Sequence, residues 1–162
     1  MNTIALQKHC QPQRHRVAGG LVLIGYEDED KRLHSITASS FNSLSLCPRL
    51  VIWCVAHEQN GRPRMPEGAQ CGLSVMAADQ RDLWSHCVND RGADHFEWFK
   101  GTELGAPLIK HAAANFEVTI TRRINQGSYV LYIGEVGSFS YSEACDGLIN
   151  YLDDLRVPLL HE

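Results

Sequence analysis

HSITASSFNSLSLCPRLVIWCV, residues 34–55, changes character half-way along. Six hydroxyl side chains, Ser35, Thr37, Ser39, Ser40, Ser43 and Ser45, fall within eleven residues of its first half. After Cys47-Pro48-Arg49 the chain becomes an almost unbroken apolar run ending in Trp53-Cys54-Val55. That run is rich in β-branched and aromatic residues and follows a turn signal, so Leu50 to Ala56 reads as a strand. Upstream, Ser35, Thr37 and Ser39 alternate with Ile36 and Ala38, the two-residue period of a strand with one polar face. Ser39-Ser40 breaks the alternation, so the strand Leu33 to Phe41 bends or ends there. At such a bend, backbone N–H groups and hydroxyls become available to a ligand carbonyl or phosphate oxygen. A polar face turned to water is the other reading these residues allow.

Working outward, Val17 to Tyr26 reads as a buried strand with two glycines, where the backbone bends or approaches something closely. Glu27-Asp28-Glu29-Asp30 followed by Lys31-Arg32 forms a charged hairpin tip between this strand and Leu33 to Phe41. Gln59 to Gln70, with two prolines and two glycines, is a loop, and Cys71 to Met76 is a short strand. Ala77 to Val88 is helical, with Asp79 as N-cap and Leu83, Trp84, Cys87 and Val88 on one face. Asp90 to Pro107 shows no regular period. Asn115 to Ile124 alternates cleanly, Phe116, Val118 and Ile120 against Glu117, Thr119 and Thr121, and Tyr129 to Tyr141 returns as its partner after a turn at residues 125–128. A last short strand falls near Leu148 to Leu152. Strands joined by hairpin-length connections and one helix predict a mainly β, antiparallel barrel with a few helices, not a doubly wound α/β fold.

The 162 residues suit one domain, 1–162, with a full core. Apolar residues make up 44% and the net charge is −4, with no Lys/Arg run; nucleic acid is therefore not an expected partner. The first sixteen residues lack the apolar segment of a signal peptide, and no apolar run is long enough for a membrane span; the expectation is a cytoplasmic protein without membrane contact. The six cysteines are scattered without a C-x-x-C pair, and the expected state is free thiols, with Cys54 and Cys71 as small core residues. The eight histidines show no metal-ligand spacing, so no metal is expected. G-x-S-x-G, G-x-G-x-x-G and the P-loop pattern are all absent, and no certain catalytic residue emerges.

Thr37-Ala38-Ser39-Ser40-Phe41, then Ser43-Leu44-Ser45-Leu46, Pro48 and Leu50-Val51, resembles the signature of the flavin reductase-like proteins. These are the short-chain, FMN-binding split-barrel family that includes reductase components of two-component monooxygenases. Ala18-Gly19-Gly20-Leu21-Val22, Ser74-Val75 with Asp79-Gln80, Gly105-Ala106-Pro107-Leu108 and Tyr132-Ile133-Gly134-Glu135-Val136 are similar to further segments of that family, in the same order. The resemblance implies an antiparallel split barrel, a homodimer, and an NAD(P)H:flavin reductase that takes FMN or FAD with NADH or NADPH and supplies reduced flavin, with a monooxygenase component as a partner. It implies flavin contacts at Thr37, Ala38, Ser39 and Ser40, at Ser43, Leu44 and Ser45, at the strand end Cys54 and Val55, and at Tyr129 and Tyr151. The cofactors then carry the hydride chemistry and the protein positions the rings.

Two segments depart from the family pattern. Where many members have Gly-Asp-His, with the His near the nicotinamide, this chain has Gly127-Ser128-Tyr129. Tyr129 can stack on a ring but carries no positive charge near neutral pH. The C-terminal stretch, usually rich in Tyr, Arg and Gly, reads Asn150-Tyr151-Leu152-Asp153-Asp154. These departures keep open an alternative, a flavin-binding carrier or sensor with little reductase activity.

Overall fold

Val22, Leu23, Ile24 and Tyr26 are all buried, so the strand they form has protein on both faces. That strand lies inside a sheet with one core beneath it and another above. The computed structural model describes residues 17–38, 40–57, 65–89, 96–101, 105–151 and 154–158. Cys10, Ser39 and most of the proposed loop and irregular stretch, residues 58–64, 90–95 and 102–104, lie outside the described residues.

In chain order the strands are β1 (Gly19–Gly20), β2 (Val22–Glu27), β3 (Leu33–Ala38), β4 (Asn42–Leu46), β5 (Arg49–Ala56), β6 (Gln70–Val75), β7 (Phe99–Lys100), β8 (Leu108–Ile109), β9 (Ala114–Gln126), β10 (Tyr129–Tyr141), β11 (Ile149–Tyr151) and β12 (Asp154–Arg156). The helix α1 (Arg81–Asn89) falls between β6 and β7. Seven strands form an antiparallel sheet in the order β3-β2-β6-β9-β10-β5-β4, while β1, β11 and β12 form a small sheet beside it. The large sheet curls until its two edges, β3 and the β4–β5 hairpin, approach each other. Its concave side holds the barrel core of Ile24, Tyr26, Trp53, Leu73, Val118, Ile120 and Tyr132. Trp53 and Tyr132, neighbours in the β5–β10 register, stack at 5.4 Å. Gly134 makes room for them, since a Cβ there would meet Val118 and the indole.

The second core lies on the convex side. Leu21, Leu23 from β2, Met76, Cys87 from α1, Ile109 and Leu148 meet there, with Trp84 and Trp98 packed around them. The expected strand Val17 to Tyr26 is broken at Leu21, which bonds to Leu148 and Met76 and hands the chain from the small sheet to the large one. The close backbone approach comes not at Gly20, whose Cβ would meet open space, but at Gly25 and Gly72. These two are paired across β2 and β6, and the Pro107 carbonyl lies flat on both. Pro107 is held there by Ser74, whose hydroxyl accepts the Ile109 N–H (2.9 Å) and donates to the Asn115 side chain (2.7 Å).

The helix begins at Arg81, four residues later than the sequence pattern suggests. Ala77 bridges to Gly147 and the Ala78 N–H bonds to the Asp146 carbonyl, so both are held outside the helix, Ala78 in a turn. Gln80, not Asp79, is the cap residue: its carbonyl accepts the Trp84 N–H, and its side-chain oxygen accepts the Ala77 N–H. The stretch read as irregular contains β7, whose partner β8 follows directly after the stretch, a pair too brief to leave a period in the sequence. β12 went unread for the same reason.

Substituting Gly72 by Ala is expected to destabilise the protein by about 1–3 kcal/mol, because the added methyl meets backbone that cannot swing aside. Gly20→Ala, with open space, is expected to fall within about 0.5 kcal/mol of wild type. Urea denaturation of both variants checks the contrast, and equal costs would contradict it.

Candidate functional site

The two edges of the large sheet do not pair, because β3 ends at Ala38 and β4 does not begin until Asn42. Between them the chain crosses from one side of the seam to the other; Ser40 lies on this crossing, with Ser35 and Thr37 before it on β3 and Ser43 and Ser45 after it on β4. β4 covers β5 only as far as Ile52, so the outer edge of β5 is bare at Cys54. Ser40 fills that gap. Its hydroxyl oxygen accepts the Cys54 N–H at 2.9 Å and donates to the Cys54 carbonyl at 3.2 Å.

The other sequence-derived residues fall around the seam in different ways. Thr37 is half-buried on β3, and Ala38 turns into the barrel core. Ser43 is exposed and Ser45 half-buried on the edge strand β4, separated by a bulge at the exposed Leu44. Neither hydroxyl has a protein partner among the described residues, nor does that of Ser35. Along β5, Val51, Trp53 and Val55 face the barrel core while Ile52, Cys54 and Ala56 face out. Cys54 is therefore half-buried on the convex face rather than a core residue, unlike Cys71, which is fully enclosed. Val55 sits in the core, so its side chain points away from the face that Cys54 presents.

Tyr129 opens β10 opposite Ala56, two residues along from Leu131, which faces Cys54. By strand alternation Tyr129, Leu131, Cys54 and Ala56 share one face. The turn before it places Gly127 at φ 59°, the left-handed region that glycine tolerates, and the Ser128 carbonyl accepts the His57 N–H at 2.8 Å. Tyr151 stands apart, in the small sheet, with the Arg156 guanidinium 5.4 Å from its ring centre. Ser39 lies outside the described residues.

Sequence reasoning missed an aromatic ladder at the open end of the barrel. Phe41, at the crossing, packs against Phe116 at 5.4 Å, and Phe116 stacks on Phe139 at 6.4 Å. Phe139 and Tyr141 remain more than half exposed. The alternation around Phe116 was visible in the sequence, but its meeting with Phe41 depends on the seam.

Electrostatics separates the seam from the other concavity. A cleft of about 620 Å³ opens at the far end of the β2–β3 hairpin, lined by Glu27, Asp28, Glu29 and Asp30 together with Tyr26 and Met65. The His34 side chain, bonded to Asp28 at 2.8 Å, and then the Arg32 N–H hold the Asp28 carboxyl below its ordinary range. A carboxylate-lined cleft repels a phosphate-bearing ligand. The seam offers neutral hydroxyls and backbone amides instead, a donor set suited to carbonyl and phosphate oxygens. Among the described residues no three His, Cys, Asp or Glu side chains gather as a metal site.

Residues 14–159 match the family model described as "Flavin reductase like domain". The "NADH-dependent FAD reductase" of Streptomyces globisporus is 33% identical over 120 residues, covering 70% of this chain and 66% of that protein. The "FMN reductase (NADH) SmoA" of Agrobacterium fabrum is 32% identical over 102 residues, 62% of this chain and 58% of that one. Each matched region is thus less than two thirds of the relative's length. Among solved structures, BorF, the flavin reductase component of a bacterial two-component tryptophan halogenase, superposes with a TM-score of 0.83 at 25% identity, covering 93% of this chain and 97% of that one.

Burial pushes the Cys71 thiol up to about 12, leaving almost no thiolate at neutral pH. Alkylation of the folded protein is expected to label Cys47 and Cys54 and to spare Cys71 until unfolding. Peptide mass mapping checks this, and early labelling of Cys71 would place it outside the core.

Proposed function

The chain belongs to the flavin reductase-like domain family, and on that premise we propose that it is an NADH-dependent flavin reductase that supplies reduced flavin to a partner monooxygenase. The observation that carries the reading is the seam: a crossing tied to β5 through the Ser40 hydroxyl, beside Ser43 and Ser45 of the edge strand β4 and an outward strand face bearing Cys54 and Tyr129. A flavin held there would supply the hydride-accepting ring for a nicotinamide donor. The residues of the chain bind and orient. The backbone N–H of Ser40, at the crossing, is directed at flavin oxygens and nitrogens, where negative charge grows on reduction. Ser43 and Ser45 on β4, beside Leu44, add hydroxyls, and the backbone at Cys54 and Val55 forms the floor of the site. Tyr129 offers a ring face to the nicotinamide. No acid–base side chain is required, because the step moves a hydride between two bound rings.

NADH as the donor is supported by the names of both relatives, which divide between FAD and FMN as acceptor. Two copies of the chain associate through the exposed Leu44 and Leu46 of β4 and the exposed Phe139 and Tyr141 of β10, apolar side chains at one end of the sheet. The partner oxygenase follows from relatives of the BorF kind, and none of the described helices is long and apolar enough to cross a membrane, in keeping with a cytoplasmic location.

The purified protein is expected to oxidise NADH faster than NADPH, only when FAD or FMN is added, and to elute at twice the chain mass. Flavin binding without turnover of either nucleotide would favour the carrier reading, to which the Gly127-Ser128-Tyr129 turn points. Tyr129→His separates the two further. In a working reductase the change alters the nucleotide KM and leaves flavin affinity near wild type. In a carrier it creates turnover that the wild type lacks.

A further inference from the structure

The β4–β5 ladder stops with Asn42 opposite Ile52. Carried two residues further in the same register, it would set Ser40 opposite Cys54. The ladder does not continue, because the chain leaves β5 at Phe41 and crosses the seam towards β3. Ser40 nevertheless bonds to Cys54, through its side chain. The hydroxyl oxygen accepts from the Cys54 N–H and donates to the Cys54 carbonyl, the two bonds that a backbone residue would have exchanged with β5. The backbone N–H and carbonyl of Ser40 have no backbone partner among the described residues.

We propose that Ser40 is a positioning residue for the flavin: its side chain replaces its own backbone in the β-ladder, closing the seam and leaving its peptide groups for the ligand. The proposal rests on the reading of the seam as the flavin site. The chemistry favours serine at this point. Only a hydroxyl both donates and accepts from a single atom at that reach, and its neutrality leaves the seam without a charge to repel phosphate. The hydroxyl serves β5, and the ligand meets the backbone that it releases. Without it, the crossing loses its only bond to Cys54 among the described residues, and the amides that face the ligand lose their fixed direction.

Ser40→Thr and Ser40→Val have side chains of the same shape and differ in the hydroxyl alone. Flavin fluorescence quenching, steady-state kinetics and amide exchange at Cys54 are measured on both and on wild type. Ser40→Val is expected to raise the flavin Kd and flavin KM about tenfold, the loss of one to two hydrogen bonds. Its Cys54 amide exchanges faster than that of wild type. Ser40→Thr restores flavin affinity and amide protection together. If Ser40→Val does not fold by circular dichroism, Ser40→Ala replaces it in the same comparison. Unchanged flavin affinity in the hydroxyl-free variant, with the Cys54 amide deprotected, overturns the positioning role. Equal weakening in Ser40→Thr overturns it as well, because the cause is then shape. A wild type that quenches no flavin overturns the flavin reading itself, and the positioning role with it. The amide exchange then still reports whether the stitch exists.

Discussion

A sheet that curls into a barrel must join its first and last strands, and here those strands never form a ladder. Two hydrogen bonds between Ser40 and the Cys54 backbone stand in for it. Everything at the seam follows from that substitution. β4 can peel away from β5 as a short, exposed edge that carries Ser43 and Ser45 past the barrel without burying them fully. A fully paired barrel would have committed these donors to the ladder. The split leaves a line of them beside the core, which is where a polar ring system can be held against an apolar wall.

The sheet that carries the seam is stiffened from both sides. The barrel core packs its concave face, and α1, β8 and the small sheet pack its convex face, so β2 serves two cores at once. Contact on the convex side is close enough to require two facing glycines, Gly25 and Gly72, beneath the Pro107 carbonyl. The buried Ser74–Asn115 pair satisfies the backbone at Ile109 that this closeness would otherwise strand. A rigid sheet matters for hydride transfer, since the geometry of two stacked rings tolerates little displacement.

Much of the fold was legible because burial leaves a period. Phe116, Val118 and Ile120 alternate with polar neighbours because β9 has one face in the barrel core, and the apolar run of β5 marks a strand inside the sheet. Elements held by long-range contacts left no such mark. The start of α1 is set by the bridge from Ala77 to Gly147, seventy residues downstream, and β7, β8 and β12 are two or three residues each. Cys54 shows the same limit at one residue. A cysteine in an apolar run reads as core, yet strand parity turns it outward while Val51, Trp53 and Val55 turn in.

The sequence by itself determined the antiparallel β class, the hairpins and the hydroxyl-rich segment, because alternation, turn chemistry and hydroxyl content are properties of neighbouring residues. It also determined the family, through ordered motifs along the chain. Only the tertiary structure decided what each hydroxyl does. Ser40 and Ser43 look alike in the sequence, both exposed serines in a polar stretch. One is bound to a strand fourteen residues away, and the other, on the edge strand, has no protein partner among the described residues. The difference comes from register and from the place where a ladder stops, and neither exists until the strands have met.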